Sequence, residues 1–409
     1  MKGTKRAATC AVVVLLAVFA FSIISQQSAG VAALPPDYKP TPAAVSAANN
    51  ETVLRVSDLK NLYPDVYASY MAGNFAAKEK DGEPHSHAGL REAVESGTGI
   101  YETFNGGIGC LACKTSDLNR LYEKYGQDVW GMNYVDLAPE VIDYWDCYLC
   151  HQNDPMGTVG AMSLSYQELA GAYLHTLSPG DAACGQCHSI VGGYTRRLVS
   201  LPGQSLETLD PYRYGTHADA IIKAFLEDGD TLVRDSDGVE FFYAGHPDVE
   251  IFQGSNHQSQ GLSCPSCHMI TETNPITGKQ YISHDASGSP LASDTALKYC
   301  LTCHESQGIT NIGDMSALVK SKQSALWDQS EAVGEKLKEL HALIVAGSGD
   351  AKIDAEARQL YITARWYKGY ADGDADVPGA KAVHAFNEMS DYYTDALALA
   401  KEGIALFGK

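Results

Sequence analysis

Ten of the eleven cysteines in this 409-residue chain fall into five pairs with two residues between the thiols. The pairs are Cys110 and Cys113, Cys147 and Cys150, Cys184 and Cys187, Cys264 and Cys267, and Cys300 and Cys303. Four are followed directly by a histidine: His151, His188, His268 and His304. The first is followed by Lys114. Cys-x-x-Cys-His is the attachment sequence of a c-type haem. The thiols bond the porphyrin edge as thioethers, and the next side chain reaches the iron. Paired cysteines also hold zinc, but four histidines at one offset after the second cysteine are not a zinc-ribbon pattern. Cys10 lies in the N-terminal segment, so no thiol remains for a disulfide scaffold. Five covalent haem c groups are expected, one with lysine as the proximal ligand.

That expectation sets the fold class. A haem is a flat apolar plate, so five of them replace much of a side-chain core. Alternating apolar and polar runs are scarce. The chain reads as mainly α, a multihaem cytochrome c with five closely packed haems and a long-helix C-terminal region. The first three pairs begin 37 residues apart, with unmatched intervening sequences. That spacing suggests haems attached by short helices and packed together.

In order, residues 1–33 read as a signal peptide or N-terminal membrane anchor. Lys2, Lys5 and Arg6 precede an apolar run from Ala11 to Ile24, and Val31-Ala32-Ala33 offers a cleavage site. The run approaches spanning length, which keeps a retained anchor open. Export to the periplasm, or to the outer face of the cytoplasmic membrane, agrees with covalent haem attachment. Residues 34–60 read as a linker, 61–310 as a pentahaem domain, and 311–409 as a helical region that serves either as packing or as an oligomer interface. Residues 189–263 form a longer excursion, either wrapped over an open haem face or inserted at the surface. In the C-terminal region Leu318, Leu326, Val333, Leu337 and Leu340 recur at helical spacing. Further helices are expected over Ala355–Tyr370 and Val383–Phe407. The formal charge of −20 excludes a nucleic-acid surface and favours a basic or polar docking partner.

Low-spin electron-transfer haems need two strong axial ligands. Nine histidines lie outside the attachment motifs: His85, His87, His175, His217, His246, His257, His284, His341 and His384. Four bis-histidine haems would use four of them, and His87 in its Pro-flanked stretch is one candidate. The iron beside Lys114 would then be open to a small molecule on its other side.

One Cys-x-x-Cys-Lys followed by four Cys-x-x-Cys-His, in this order, resembles the pentahaem cytochrome c nitrite reductases, the ammonia-forming enzymes. Cys113-Lys114-Thr115-Ser116-Asp117-Leu118-Asn119-Arg120-Leu121 is similar to the stretch after that family's first haem, and Cys184-Gly185-Gln186-Cys187-His188 to its third site. Gly245-His246-Pro247-Asp248 and Asn256-His257 precede Cys264 much as the family's His-Pro-Glu and distal histidine precede the fourth haem. The likeness runs from about residue 63 to the C-terminus. It implies a mostly helical fold, a homodimer built on long C-terminal helices, and a membrane-bound quinol-oxidising cytochrome as electron donor. It implies His87, His257, His284 and His384 as distal ligands, with His341 competing for the last role. It places His246 in the pocket over the Lys114 haem.

The pocket departs from the family pattern. The family's Arg-Thr-Gly arginine aligns with Glu95, and Arg91 lies four positions earlier. The family's Glu-Tyr after the third site is replaced by Ser189-Ile190-Val191, with Tyr194 three residues on. Tyr243-Ala244-Gly245 stands where the family has the Lys-x-Gln of a calcium site. That replacement weakens the case for a calcium ion here, and Arg196 and Arg197 are candidates for the positive charge that calcium would supply. The first functional expectation is a multi-electron reductase converting nitrite to ammonium, with Lys114, His246, Arg91 and Tyr194 as its catalytic set. The alternatives are a haem wire feeding another reductase, and reduction of a different small oxidised substrate.

Overall fold

The computed structural model describes residues 60–72, 115–132, 134–141, 146–151, 159–191, 210–228, 232–285, 289–373, 379 and 381–408. The expected leader, the expected linker up to residue 59, and Cys110, Cys113, Lys114, His85, His87, Arg91, Glu95, Tyr194, Arg196 and Arg197 lie outside them. The described chain is helical, with two short β-ribbons. In order the elements are α1 (Pro64–Ala72), α2 (Asp117–Tyr125), α3 (Tyr134–Leu137), α4 (Leu164–Ala170), α5 (Pro179–Gly185) and α6 (Ala218–Asp228). A ribbon of β1 (Val233–Arg234) and β2 (Glu240–Phe241) follows, then α7 (Asp248–Phe252), α8 (Asn256–Ser259) and α9 (Cys264–His268). The second ribbon joins β3 (Thr271–Thr273) to β4 (Gln280–Ile282), and α10 (Asp294–His304), α11 (Ile312–Ala346), α12 (Ala351–Asp372) and α13 (Ala382–Phe407) complete the chain. Both ribbons are antiparallel. No helix among the described residues is long and apolar enough to cross a membrane.

The last three helices form an antiparallel bundle. Asn311 caps α11, its side chain accepting from the Asp314 N–H at 2.9 Å. Gly347 ends it at φ +72. Met315, Val319, Leu326, Val333, Leu337, Leu340 and Ile344 make one buried stripe at steps of three, four and seven. Leu318 of the expected series is only half-buried and belongs to a smaller cluster with Leu297 of α10. On α13 the stripe is Met389, Tyr393, Ala396, Ala400 and Gly403. A Cβ at Gly403 would meet Leu340 Cδ2 at 2.7 Å, so the glycine sets how closely α11 and α13 approach. Asp372 ties the three helices together, accepting from Ser330 at 2.7 Å, from Tyr393 at 2.8 Å and from Lys368 at 2.5 Å.

The excursion is part of this core rather than a surface insertion. Ala218, Ile221, Ile222 and Phe225 of α6, and Phe242 after β2, are buried against α12. Trp366 is fully buried, edge-on to Phe225 and Phe242. Its indole N–H donates to Ala218 O at 2.7 Å, and Tyr370 OH donates to Thr216 O at 2.9 Å. The polar atoms of these large rings are thereby satisfied, and the excursion is fastened to the bundle. One continuous core runs from Ala161 through Ile251 to Ala400.

Candidate haem sites

Each described cysteine motif sits on a single helical turn. His151 N–H donates to Cys147 O and His188 N–H to Cys184 O, both at 2.9 Å. Residues three and four apart share a face, so the two thiols and the histidine address one plate from the same side. Asp146 caps the turn at Cys147 through Tyr148 N–H at 2.9 Å. Ser263 and Ser266 cap α9, which is the whole of Cys264-Pro265-Ser266-Cys267-His268. The thiols of all eight described motif cysteines are free of disulfides.

Buried polar side chains staple neighbouring motifs together. Asp146 also accepts from Ser116 N–H at 2.9 Å, which fixes the segment after Lys114 to the second motif. Gln186, inside the third motif, accepts from Met162 and Ser163 N–H and donates to Leu149 O, so the third motif is fastened to the second. Asp181 accepts from Cys264 N–H at 2.7 Å and joins the third motif to the fourth. A Cβ at Gly180 would lie 2.7 Å from Pro265 Cγ, so only glycine permits that approach.

The histidines then fall into facing pairs. His151 faces His284 at 6.3 Å between ring centres, His268 faces His384 at 6.4 Å, and His304 faces His257 at 6.2 Å. Two metal–imidazole bonds of about 2 Å, with roughly 1.2 Å from nitrogen to ring centre, put opposed axial rings about 6.4 Å apart. The donor set therefore fits an iron between each pair. In every pair one ring belongs to a cysteine motif and the other comes from a distant element. His284 and His257 donate their Nδ1–H to Ile282 O at 3.0 Å and Val383 O at 2.9 Å. That tautomer leaves Nε2 as the ligating nitrogen. Burial holds His284 below the ordinary histidine range. Burial, with Lys381 and neighbouring histidines adding to it, holds His384 well below. Both shifts favour the neutral ring, the form that binds metal.

His341 is placed elsewhere. Its Nε2 pairs with Asp235 at 2.9 Å and its ring lies against Tyr361. Asp237 stands beside this pair, but Asp235 also accepts from Val239 and Asp237 N–H, which makes the group a capped hairpin turn. Of the two candidates for the last distal role, it is His384 whose ring faces His268, while His341 faces Asp235.

His246 lies 5.9 Å from His188, a few tenths of an ångström short of the axial spacing. Its neighbour Asp248 accepts from His188 Nδ1–H at 3.1 Å. Behind the same turn is a fully buried carboxylate that sequence reading did not single out. Glu250 is 1% exposed, accepts from Ile190 N–H at 2.9 Å and from Tyr212 OH, and is pushed up to about 7 by burial. Burial and the nearby Glu250 in turn raise Tyr166, Tyr173 and Tyr212.

Against known proteins, the cytochrome c552 family matches residues 43–407. The fold is similar to the catalytic subunit of cytochrome c nitrite reductase from Desulfovibrio desulfuricans, with a TM-score of 0.66 and 17% identity over 86% of each chain. That protein has two calcium sites. With its attachment motifs held on single turns and its histidines paired at axial spacing, the chain belongs to the cytochrome c552 family and carries covalent haem c.

Proposed function

We propose that this chain is an exported pentahaem cytochrome that reduces nitrite to ammonium at a Lys114-ligated haem. The observation that carries the reading is the pairing of histidines. His151, His268 and His304 each already face a second histidine. Those sites suit electron transfer, since the facing histidines would take both axial positions of a bound haem. Lys114 replaces the histidine at the first motif, and that site is the one assigned to substrate.

In this reading the proximal ligands are Lys114, His151, His188, His268 and His304. His284, His384 and His257 are the distal partners of the second, fourth and fifth sites, and His87 of the third. The ten paired cysteines would anchor the haem plates, which when bound would supply electrons and, beside Lys114, a coordination position for substrate. The remaining work belongs to side chains. Nitrite is an anion, so a cation must hold it, and Arg91 is assigned that role. Its reduction consumes protons, and His246 and Tyr194 are assigned to deliver them at the developing charge. The membrane-bound quinol-oxidising donor and the homodimer are further parts of the proposal, the latter through α11–α13.

The aligned position of Glu95 favours a second reading, in which a carboxylate repels nitrite and the haems pass electrons to another reductase. Ammonium formation separates the two. The purified haem-loaded protein is reduced with a viologen dye under anoxic conditions, nitrite is added, and ammonium is quantified. Stoichiometric ammonium over many turnovers supports the reductase. Reoxidation without sustained turnover, from a protein with full haem content, supports the wire.

A further inference from the structure

We propose that Asp248 is a positioning residue that sets the reduction potential of the third haem, with Lys381 as its counter-charge. The inference rests on the reading that His188 ligates that haem's iron. Helix α7 is docked on the His188 turn by three contacts. Val249 N–H donates to His188 O at 3.0 Å, Ile190 N–H donates to Glu250 at 2.9 Å, and Asp248 Oδ2 accepts from His188 Nδ1–H at 3.1 Å. The last bond fixes the tautomer and leaves Nε2 as the donor to iron.

The other oxygen of the same carboxylate is paired with Lys381, which is 7% exposed. The stem of Lys381 crosses Gly373, where a Cβ would come within 2.0 Å of Lys381 Cε. Asp248 Oδ1 also lies 3.9 Å from His384 Nδ1. Among the described residues, Asp248 thus meets one ammonium, Lys381, and two rings assigned to different haems, His188 and His384. A carboxylate accepting from Nδ1–H pushes electron density to Nε2, strengthens the ligand and favours ferric iron. The ammonium draws density back from the carboxylate and limits that effect. The pair Asp248–Lys381 thus works as a fixed bias on the third site, and the same carboxylate borders the fourth.

The test is a redox titration of the haem-loaded full chain, followed by visible absorbance, for the wild type, Asp248→Asn, Lys381→Met and the double variant. The expected result is a shift of one haem to more positive potential in Asp248→Asn and to more negative potential in Lys381→Met, with the double variant between them. Midpoints unchanged in both single variants, or shifts of the opposite sign, overturn the inference. If Asp248→Asn leaves Lys381 unpaired and the protein fails to accumulate, Lys381→Met decides alone: a negative shift supports the inference, and no shift overturns it. Mass mapping of the Cys184–His188 peptide reads the underlying assignment separately. A peptide without haem overturns the ligand assignment, whereas a haem-bearing peptide with unmoved potentials overturns only the role of Asp248.

Discussion

Glu250→Gln tests the energetics of the third site's surroundings. The carboxyl is 1% exposed and moves from 4.5 to about 7, mainly because burial disfavours its charged form. The hydrogen bonds from Tyr212 and Ile190 oppose that shift without cancelling it. In the unfolded chain the group ionises near 4.5, so between that value and about 7 the folded chain binds the extra proton. Stability therefore falls as pH rises through this window, then levels off. The displacement corresponds to about 3 kcal/mol. Glutamine keeps the shape and an accepting oxygen for Ile190 and Tyr212 but cannot ionise. The assay is thermal unfolding of haem-loaded wild type and variant, followed by circular dichroism, from about pH 5 to about pH 8. The two should agree most closely at the acid end. The variant should gain on the wild type as pH rises, approaching the full difference above about pH 7. A difference that stays flat across the range would refute the argument, because it would mean that Glu250 does not carry its proton in the folded state.

Four further predictions follow from particular contacts. His384→Ala should open the fourth haem, giving a new high-spin signal in electron paramagnetic resonance, whereas His341→Ala should leave the spin states unchanged; the reverse pattern refutes the pairing with His268. His246→Ala should lower any nitrite turnover by about two to three orders of magnitude while keeping every low-spin signal; loss of one such signal would instead make His246 the axial partner of His188. Lys114→His should retain haem at Cys110 and Cys113 but change the spectrum of that haem and depress turnover, and unchanged turnover would remove it as the reaction site. Trp366→Ala should cost about 3–5 kcal/mol in denaturant unfolding, since the indole is fully buried and its N–H holds Ala218 O.

What the sequence made legible was whatever repeats or is local. The cysteine motifs announce themselves by spacing, and the α11 stripe from Leu326 to Leu340 shows in its period. The resemblance carried His257, His284 and His384 to positions that the fold sets opposite His304, His151 and His268. The staples were not legible. Asp181 and Cys264 lie 83 residues apart, and Gln186 and Leu149 lie 37 apart. An aspartate or glutamine that will bond a distant backbone amide looks the same in sequence as one facing water. Glu250 is the sharpest case, a carboxylate that composition would place at the surface. The excursion at 189–263 was ambiguous for a related reason: its apolar residues are spread over short elements, so no period betrays that Ala218, Phe225 and Phe242 close over Trp366.

The proposed function requires one open iron in the chain, with the others capped by paired histidines. Carbon monoxide titration of the fully reduced, haem-loaded protein measures it directly, because the ligand binds ferrous haem only where an axial position is free. One carbon monoxide should bind per chain, lost or altered in Lys114→His and unaffected by His341→Ala. No binding would mean that the Lys114 site is closed and the chain acts as a wire. More than one equivalent would mean that the facing histidines do not both ligate.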